Sequence, residues 1–240
     1  MKTSFLTKIA FSLALALGLT LVAPADAQVL IDFGNTPTTI SSTGNPGFFW
    51  NNINTGGTIS LVDFTNNPSG ISVTLAGFGG FSTSGGIAIP TPGGMTGTAA
   101  TEFGGLQQDA ATDYIFGTGT NTGTLTFSGL TAGVTYEFTI FSARNTAGNF
   151  LTDFAITGGV APSTGQVNAQ FNSGSVVVLS AQAVGTTLSI TAKNNNVGGG
   201  NFYINAVEVV AVPEPASLTM VGAGVLGVLG LARRRLRSGN

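Results

Sequence analysis

The sequence has no cysteine and no histidine among its 240 residues. Without cysteine there is neither a disulfide nor a thiol nucleophile, and without histidine no Ser-His-Asp or Cys-His catalytic arrangement is possible. Zinc, copper and non-haem iron sites lose their usual ligands. We therefore expect no catalytic residue, no cofactor and no metal site, although the oxygen ligands that a calcium site would need are present.

Charge is also scarce, at 8% of the residues, and it is unevenly distributed. Six of the eight basic residues lie near the two ends of the chain. Residues 28–211 hold only Arg144 and Lys193 against eight acidic residues, a net charge of −6. Such a segment cannot neutralise many phosphates, so neither nucleic acid nor an anionic lipid surface is an expected partner.

Residues 1–27 have the three parts of a secretory signal peptide. Lys2 and Lys8 precede an apolar run, and the small residues Ala25 and Ala27 occupy the positions that a signal peptidase reads. An uncleaved membrane anchor is the alternative, but the apolar run is short and the small residues follow at once. We predict cleavage after Ala27 and hence an exported protein.

Residues 212–240 have the composition of a second targeting signal. The defining residues of this signal are Pro213, Glu214, Pro215, Arg233, Arg234 and Arg235. Between them, 216–232 is a charge-free apolar stretch of 17 residues, which at 1.5 Å per residue makes about 26 Å of helix, close to the minimum for one transmembrane helix. The arginines would remain cytoplasmic under the positive-inside rule, which places the middle of the chain outside the membrane.

The order Pro-Glu-Pro, short apolar helix and arginine cluster resembles the PEP-CTERM sorting signal of Gram-negative bacteria. The resemblance implies an exosortase-type processing enzyme as a partner and anchoring in the inner membrane before processing. It also implies a host that makes extracellular polysaccharide. The expected final location is therefore the cell surface or the extracellular matrix of a biofilm.

Residues 28–211 have the pattern of a single all-β module. Short runs rich in Val, Ile, Thr, Phe and Tyr alternate with Gly, Asn and Pro, and no segment shows convincing helical periodicity. The predicted strands are 29–33, 58–62, 71–75, 86–89, 113–116, 123–127, 135–143, 150–157, 175–179, 187–192 and 202–210. So many short strands with polar turns favour a β-sandwich.

Two resemblances refine this expectation. The segment Gly-Leu-Thr-Ala-Gly-Val-Thr-Tyr at 129–136 resembles the corner of extracellular sandwiches such as fibronectin type III domains, with Leu130 closing one end of the sandwich. The motifs Ile-Asp-Phe-Gly (31–34), Asn-Asn-Ile-Asn (51–54), Phe-Ser-Ala-Arg (141–144) and Phe-Tyr-Ile-Asn (202–205) resemble the jelly-roll, galactose-binding-like module of bacterial surface proteins. That module implies a jelly-roll-type β-sandwich and carbohydrate binding.

Aromatic and amide side chains are concentrated at 47–54, which we interpret as a loop. Sugar rings stack on aromatic faces, and asparagine amides can bridge adjacent hydroxyls. The candidate glycan-binding residues are Phe49, Trp50, Asn51, Asn52 and Asn54. The favoured alternative is that Trp50 or Phe49 packs in the core while the asparagines hold turns.

The remaining charged residues have simpler interpretations. Glu102, Asp109 and Asp113 are the densest acidic cluster, which we interpret as a solvated loop, with a calcium site second and a glycosidase carboxylate pair third. Arg144 could pair with a neighbouring acid, which is the favoured interpretation, or contact a ligand hydroxyl, and Lys193 is expected to lie in a turn.

Together these features favour a non-enzymatic, exported surface or matrix protein with extracellular polysaccharide as a candidate partner. A structural matrix protein without a specific ligand and a carboxylate-dependent glycosidase are the two alternatives. The expected architecture is a sandwich flanked by a signal peptide and a single C-terminal transmembrane helix.

Overall fold

The computed structural model describes residues 28–34, 49–82, 86, 94–105, 108–195 and 200–212. The described residues belong to one compact unit, Ala27–Val212. The predicted signal peptide, the predicted strand beyond Gly86 and the sorting segment with its transmembrane helix 216–232 lie outside the described residues. Within the described ranges, no helix has the length and apolarity needed to cross a bilayer.

The described residues form fifteen strands and two short helices. The first part of the chain contains β1 Val29–Phe33, β2 Trp50–Ile53, β3 Gly57–Val62, β4 Pro68–Ala76, β5 Gly80–Ser82, α1 Gly97–Glu102 and α2 Gln108–Thr112. The second part contains β6 Tyr114–Thr118, β7 Thr122–Ser128, β8 Thr135–Phe141, β9 Leu151–Thr157, β10 Gly159–Val160, β11 Thr164–Asn168, β12 Val176–Ala183, β13 Thr187–Asn194, β14 Asn201–Ile204 and β15 Ala206–Val212.

These strands form two large sheets and one small sheet. Sheet I has the order β10-β12-β8-β15-β1-β2, sheet II has β11-β9-β13-β7-β4-β3, and sheet III has β14-β6-β5. From β7 to β13 every connection crosses from one large sheet to the other, which is the alternation of a jelly roll. The predicted all-β, jelly-roll-type sandwich is therefore confirmed.

The core lies between the two large sheets, as strand alternation requires. In β8, Phe138 and Ile140 are buried against sheet II, and the rings of Phe127 and Phe138 lie 4.9 Å apart across the sandwich. Thr139, the intervening residue, lies on the opposite face of sheet I. Apolar burial between the sheets is thus what selects the register of the paired strands.

The corner before β8 has the predicted turn. The Thr131 N–H donates to the Tyr136 hydroxyl at 2.9 Å, and Leu130 is buried in the core. At Gly129, φ is +84°, and a Cβ there would lie 2.1 Å from the carbonyl oxygen of Gly70. Glycine is required at this position because both the conformation and the space exclude a side chain.

The structure corrects three details of the predicted elements. The run 202–210 is two strands in different sheets, because Asn205 ends β14 and its backbone N–H bonds to the Phe141 carbonyl at 3.0 Å. Two helices occur where none was predicted, and they cover part of the outer face of sheet I. The strands β2, β5, β10 and β11 were also not predicted; they are short or polar and depend on pairing with their neighbours.

Candidate ligand-binding site

An aromatic cluster covers the outer face of sheet III. In β6 and β14, Ile115, Phe202 and Ile204 point into the main core, so that alternate residues point outward. The outward residues Tyr114, Phe116 and Tyr203 form a separate cluster with Phe150 and Ala169. The Tyr114 and Tyr203 rings meet edge to face at 4.9 Å, and Phe150 meets Tyr203 in the same way at 5.4 Å.

Arg144 lies against this cluster, where the chain continues beyond β8. Its guanidinium carbon is 5.2 Å from the centroid of the Tyr114 ring and 5.6 Å from that of Tyr203. One guanidinium nitrogen also donates to the Tyr114 hydroxyl at 2.6 Å. These contacts hold the cation against two aromatic rings, which favours a fixed orientation of its planar fork. The predicted pairing of Arg144 with a neighbouring acid stays a prediction.

Solvent reaches the cluster through its phenylalanines and its polar rim. Tyr114 and Tyr203 are buried, whereas Phe116 and Phe150 are half-buried, and the loop 145–149 beside Arg144 is exposed. On the other side, the Asn201 amide donates to the Tyr203 hydroxyl at 3.1 Å. The site therefore combines apolar ring faces, a guanidinium and amide groups, the set of contacts that a sugar requires.

A tight turn follows β11 and is bonded to the backbone of Arg144. Residues 169–172 close a turn through a 3.2 Å bond from the Asn172 N–H to the Ala169 carbonyl. Within it, the Phe171 N–H donates to the Arg144 carbonyl at 2.8 Å. Phe171 has φ of +48° and a side chain that is 53% exposed. The turn thus presents a partly exposed aromatic residue whose backbone is bonded to that of Arg144.

The predicted glycan-binding loop is instead strand β2. Trp50 is only 7% exposed and packs beneath the helices with Phe103, Leu30 and Met95. Its burial leaves no open ring face for a sugar, so the interpretation as an exposed platform is wrong and the core alternative is right. Parallel pairing of β2 with β1 produces this burial, because it turns Trp50 and Leu30 to the same face.

The other four residues of that set have different environments. The Asn51 side chain bonds to the Leu30 carbonyl and to both the N–H and the carbonyl of Val62, at 2.8–2.9 Å. It therefore ties sheet I to the edge strand of sheet II and is structural. Phe49 is half-buried, and Asn52 and Asn54 are exposed; none of the five contributes to the cluster around Arg144.

The acidic cluster does not form one solvated loop. Glu102 is in α1 and Asp109 is in α2, while Asp113 is fully buried beside Gly34, where a Cβ would lie 2.0 Å from the Asp113 carboxyl carbon. The solvated-loop interpretation is therefore wrong for Asp113. The described residues contain no group of three or more acidic side chains placed to hold a metal ion.

Glu208 is a buried acid that the sequence pattern did not single out. It lies on the outer face of sheet I, is 6% exposed and accepts a hydrogen bond from the Gln28 amide. Burial, helped by the nearby carboxylates of Glu102 and Glu137, raises the pKa of Glu208 to about 7, against the opposing effect of the Gln28 bond. Glu208 alternates in β15 with valines that point into the core, which predicts an exposed side chain. Only the fold shows that the outer face of sheet I is also covered at this position.

Comparison with known proteins gives three results. Residues 211–235 match the PEP-CTERM protein-sorting motif. No curated protein has a sequence that matches this chain. Among solved structures, the Clostridium thermocellum N-terminal endo-1,4-β-D-xylanase 10B CBM22-1-GH10 modules, complexed with xylohexaose, match with 12% identity and a TM-score of 0.28. That match covers 43% of this chain and 22% of the xylanase chain.

Of the matched residues, only Ala211 and Val212, at the end of β15, lie in the described part of the structure. The motif nevertheless includes Pro213, Glu214 and Pro215 and the three arginines Arg233, Arg234 and Arg235. It implies export, membrane anchoring before processing, and processing by an exosortase. The chain is thus an exported jelly-roll protein that carries a PEP-CTERM sorting motif.

Proposed function

We propose that this exported protein is a non-enzymatic, polysaccharide-binding protein of the cell surface or extracellular matrix. One observation carries the proposal: the Arg144 guanidinium lies against the rings of both Tyr114 and Tyr203, in a cluster that includes two half-buried phenylalanines. An aromatic cluster buried for stability alone has no need of a cation, which costs free energy to desolvate. A ligand with hydroxyl groups and apolar faces accounts for both.

The chemistry of such a site is binding and orientation. A pyranose ring presents C–H groups on its face, which pack on the exposed parts of Phe116 and Phe150. The guanidinium is a donor to sugar hydroxyls, and the Tyr114 hydroxyl fixes its direction through the 2.6 Å bond. In the proposed role, these groups bind and orient the sugar and transfer no proton.

The test is binding of purified full-length protein, in detergent, to a panel of soluble polysaccharides. Phe116→Ala should weaken the binding on the order of tenfold, which corresponds to about 1.4 kcal/mol. Phe78→Ala is the matched control, because Phe78 is another half-buried phenylalanine but packs on Phe202 of the main core. The control should lower the melting temperature without changing the affinity of the folded protein.

The alternatives predict different results in the same assay. A structural matrix protein would self-associate and bind no polysaccharide on the panel. A carboxylate-dependent glycosidase would release reducing ends during incubation. Either result would contradict the proposed function.

A further inference from the structure

Phe171 occupies a backbone conformation that its side chain disfavours. Only three described residues other than glycine have positive φ: Asn66, Ala161 and Phe171. Asparagine tolerates this region through local hydrogen bonds, and alanine is small, whereas a bulky aromatic residue there is a strained exception. Such strain persists only where the surrounding structure holds the backbone in place.

The surrounding structure does hold it. The Asn172 side chain is almost fully buried and donates to the Ser142 and Ser175 carbonyls, both at 2.8 Å. Its oxygen accepts from the N–H groups of Ser175 at 2.8 Å and Gly174 at 3.3 Å. Asn172 therefore fixes the turn on its C-terminal side, while the bond from Phe171 to Arg144 fixes it from within.

Neither the backbone nor burial explains phenylalanine at this position. Glycine or asparagine would suit φ of +48° better, and a ring that is 53% exposed gains little from the core. What phenylalanine supplies is a flat apolar surface on a rigid support, one residue from the Arg144–Gln170 bridge. A side chain that is already held rigidly lowers the entropic cost of binding a ligand.

The charge of the module limits the ligand class. Residues 28–211 carry Arg144 and Lys193 against eight acidic residues. A polyanionic glycan would be repelled by this excess of like charge, whereas a neutral one would not. Stacking on an exposed phenylalanine also requires a pyranose with an uninterrupted C–H face, which equatorial hydroxyls provide.

We infer that Phe171 is a stacking platform for a neutral polysaccharide of equatorially substituted pyranoses, positioned beside Arg144 by the strained 169–172 turn. This inference rests on the proposed function and adds a residue and a ligand class to it. In this role the strained turn holds the Phe171 ring in place for the ligand, which stability alone does not require.

The test uses the full-length protein with hydroxyethylcellulose as the neutral probe and alginate as the anionic probe. Phe171→Asn should weaken binding to a neutral probe at least tenfold, while the melting temperature stays equal or rises because asparagine suits positive φ. Ala161→Asn is the matched control, since Ala161 is exposed with φ of +50°. It should have the same effect on melting without changing the affinity.

The outcomes separate this inference from the proposed function. If the unaltered protein binds a neutral probe and Phe171→Asn binds it equally well, the platform is overturned and the proposed function stands. A melting temperature that falls in Phe171→Asn but not in Ala161→Asn would assign the ring a structural role and overturn the inference. Binding to alginate alone would overturn the ligand class, and binding to no probe at all would contradict the proposed function itself.

Discussion

The indole ring of Trp50 stacks on the ring of Phe103, with centroids 5.9 Å apart and planes inclined by 25°. This contact joins β2 to the segment that follows α1, and it places the single tryptophan beneath the helical cover of sheet I. Trp50 therefore contributes to stability and belongs to a different cluster from Tyr114 and Tyr203.

Trp50→Ala should destabilise the protein by about 3–5 kcal/mol, because it leaves a large cavity next to Phe103. Chemical denaturation followed by circular dichroism measures this change. Polysaccharide affinity, corrected for the folded fraction, should not change. An unchanged stability with a lost affinity would return Trp50 to the binding site.

Asn205 should be among the polar residues most sensitive to substitution. Its buried side chain accepts from the Ala143 N–H at 2.6 Å and donates to the carbonyls of Asp113 at 2.7 Å and Ala111 at 3.3 Å. Asn205→Ala leaves buried groups without partners and should cost roughly 3 kcal/mol or more of unfolding free energy. The control Asn201→Ala removes one half-buried bond to Tyr203 and should cost much less.

Glu208 should make the protein less stable as the pH rises from about 4.5 to about 7. In this window the folded state retains a proton that the unfolded state releases, because burial raises the pKa of Glu208 to about 7 from 4.5. The contribution of Glu208 to stability is thus fully present below about pH 4.5 and is lost as the pH rises to about 7, a loss on the order of 3 kcal/mol.

Glu208→Gln tests this prediction, since the amide has the same shape and no charge. Its unfolding free energy should equal that of the unaltered protein near pH 4 and exceed it near pH 8. Glu137→Gln, on the same face of sheet I, is the comparison variant. A pH profile that keeps its slope in Glu208→Gln would assign the dependence to other groups.

Glu214 should matter for processing and not for export. Proline restricts its own φ and disfavours helix in the residue before it, so the sequence predicts an extended segment in which Glu214 offers one charge, within the matched sorting motif. Glu214→Gln should leave the protein in the membrane with its tail retained for longer, as measured by mass spectrometry of membrane fractions over time. Ser217→Ala, in the apolar stretch, should be processed at the normal rate.

The sequence was sufficient for elements whose pattern is local. β1 begins and ends where alternation and composition place it, and β8 is found to within two residues. β2 and the helices were not predictable in this way, since β2 depends on parallel pairing with a strand about twenty residues away. α1 and α2 have only six and five residues, too few for helical periodicity to be visible.

The candidate site shows the same limit. Arg144 was evident as one of two cations in residues 28–211. Its partners Tyr114 and Tyr203 come from β6 and β14, which only the sheet order brings together. The positive φ of Phe171 leaves no trace in composition, because phenylalanine is not a residue that turn rules select.

The direction of β15 has a practical consequence for the whole module. β15 pairs with β8 so that Ala206 is opposite Phe141, close to Arg144, and Val212 is opposite Thr135 at the other end of the strand. Six residue steps separate these ends, roughly 20 Å of strand. A tether attached after Val212 would therefore leave the Arg144 end of β8 at the far end of the strand from the point of attachment. Coupling the protein to a sensor surface through its C-terminal side should keep the aromatic site accessible to long polymers.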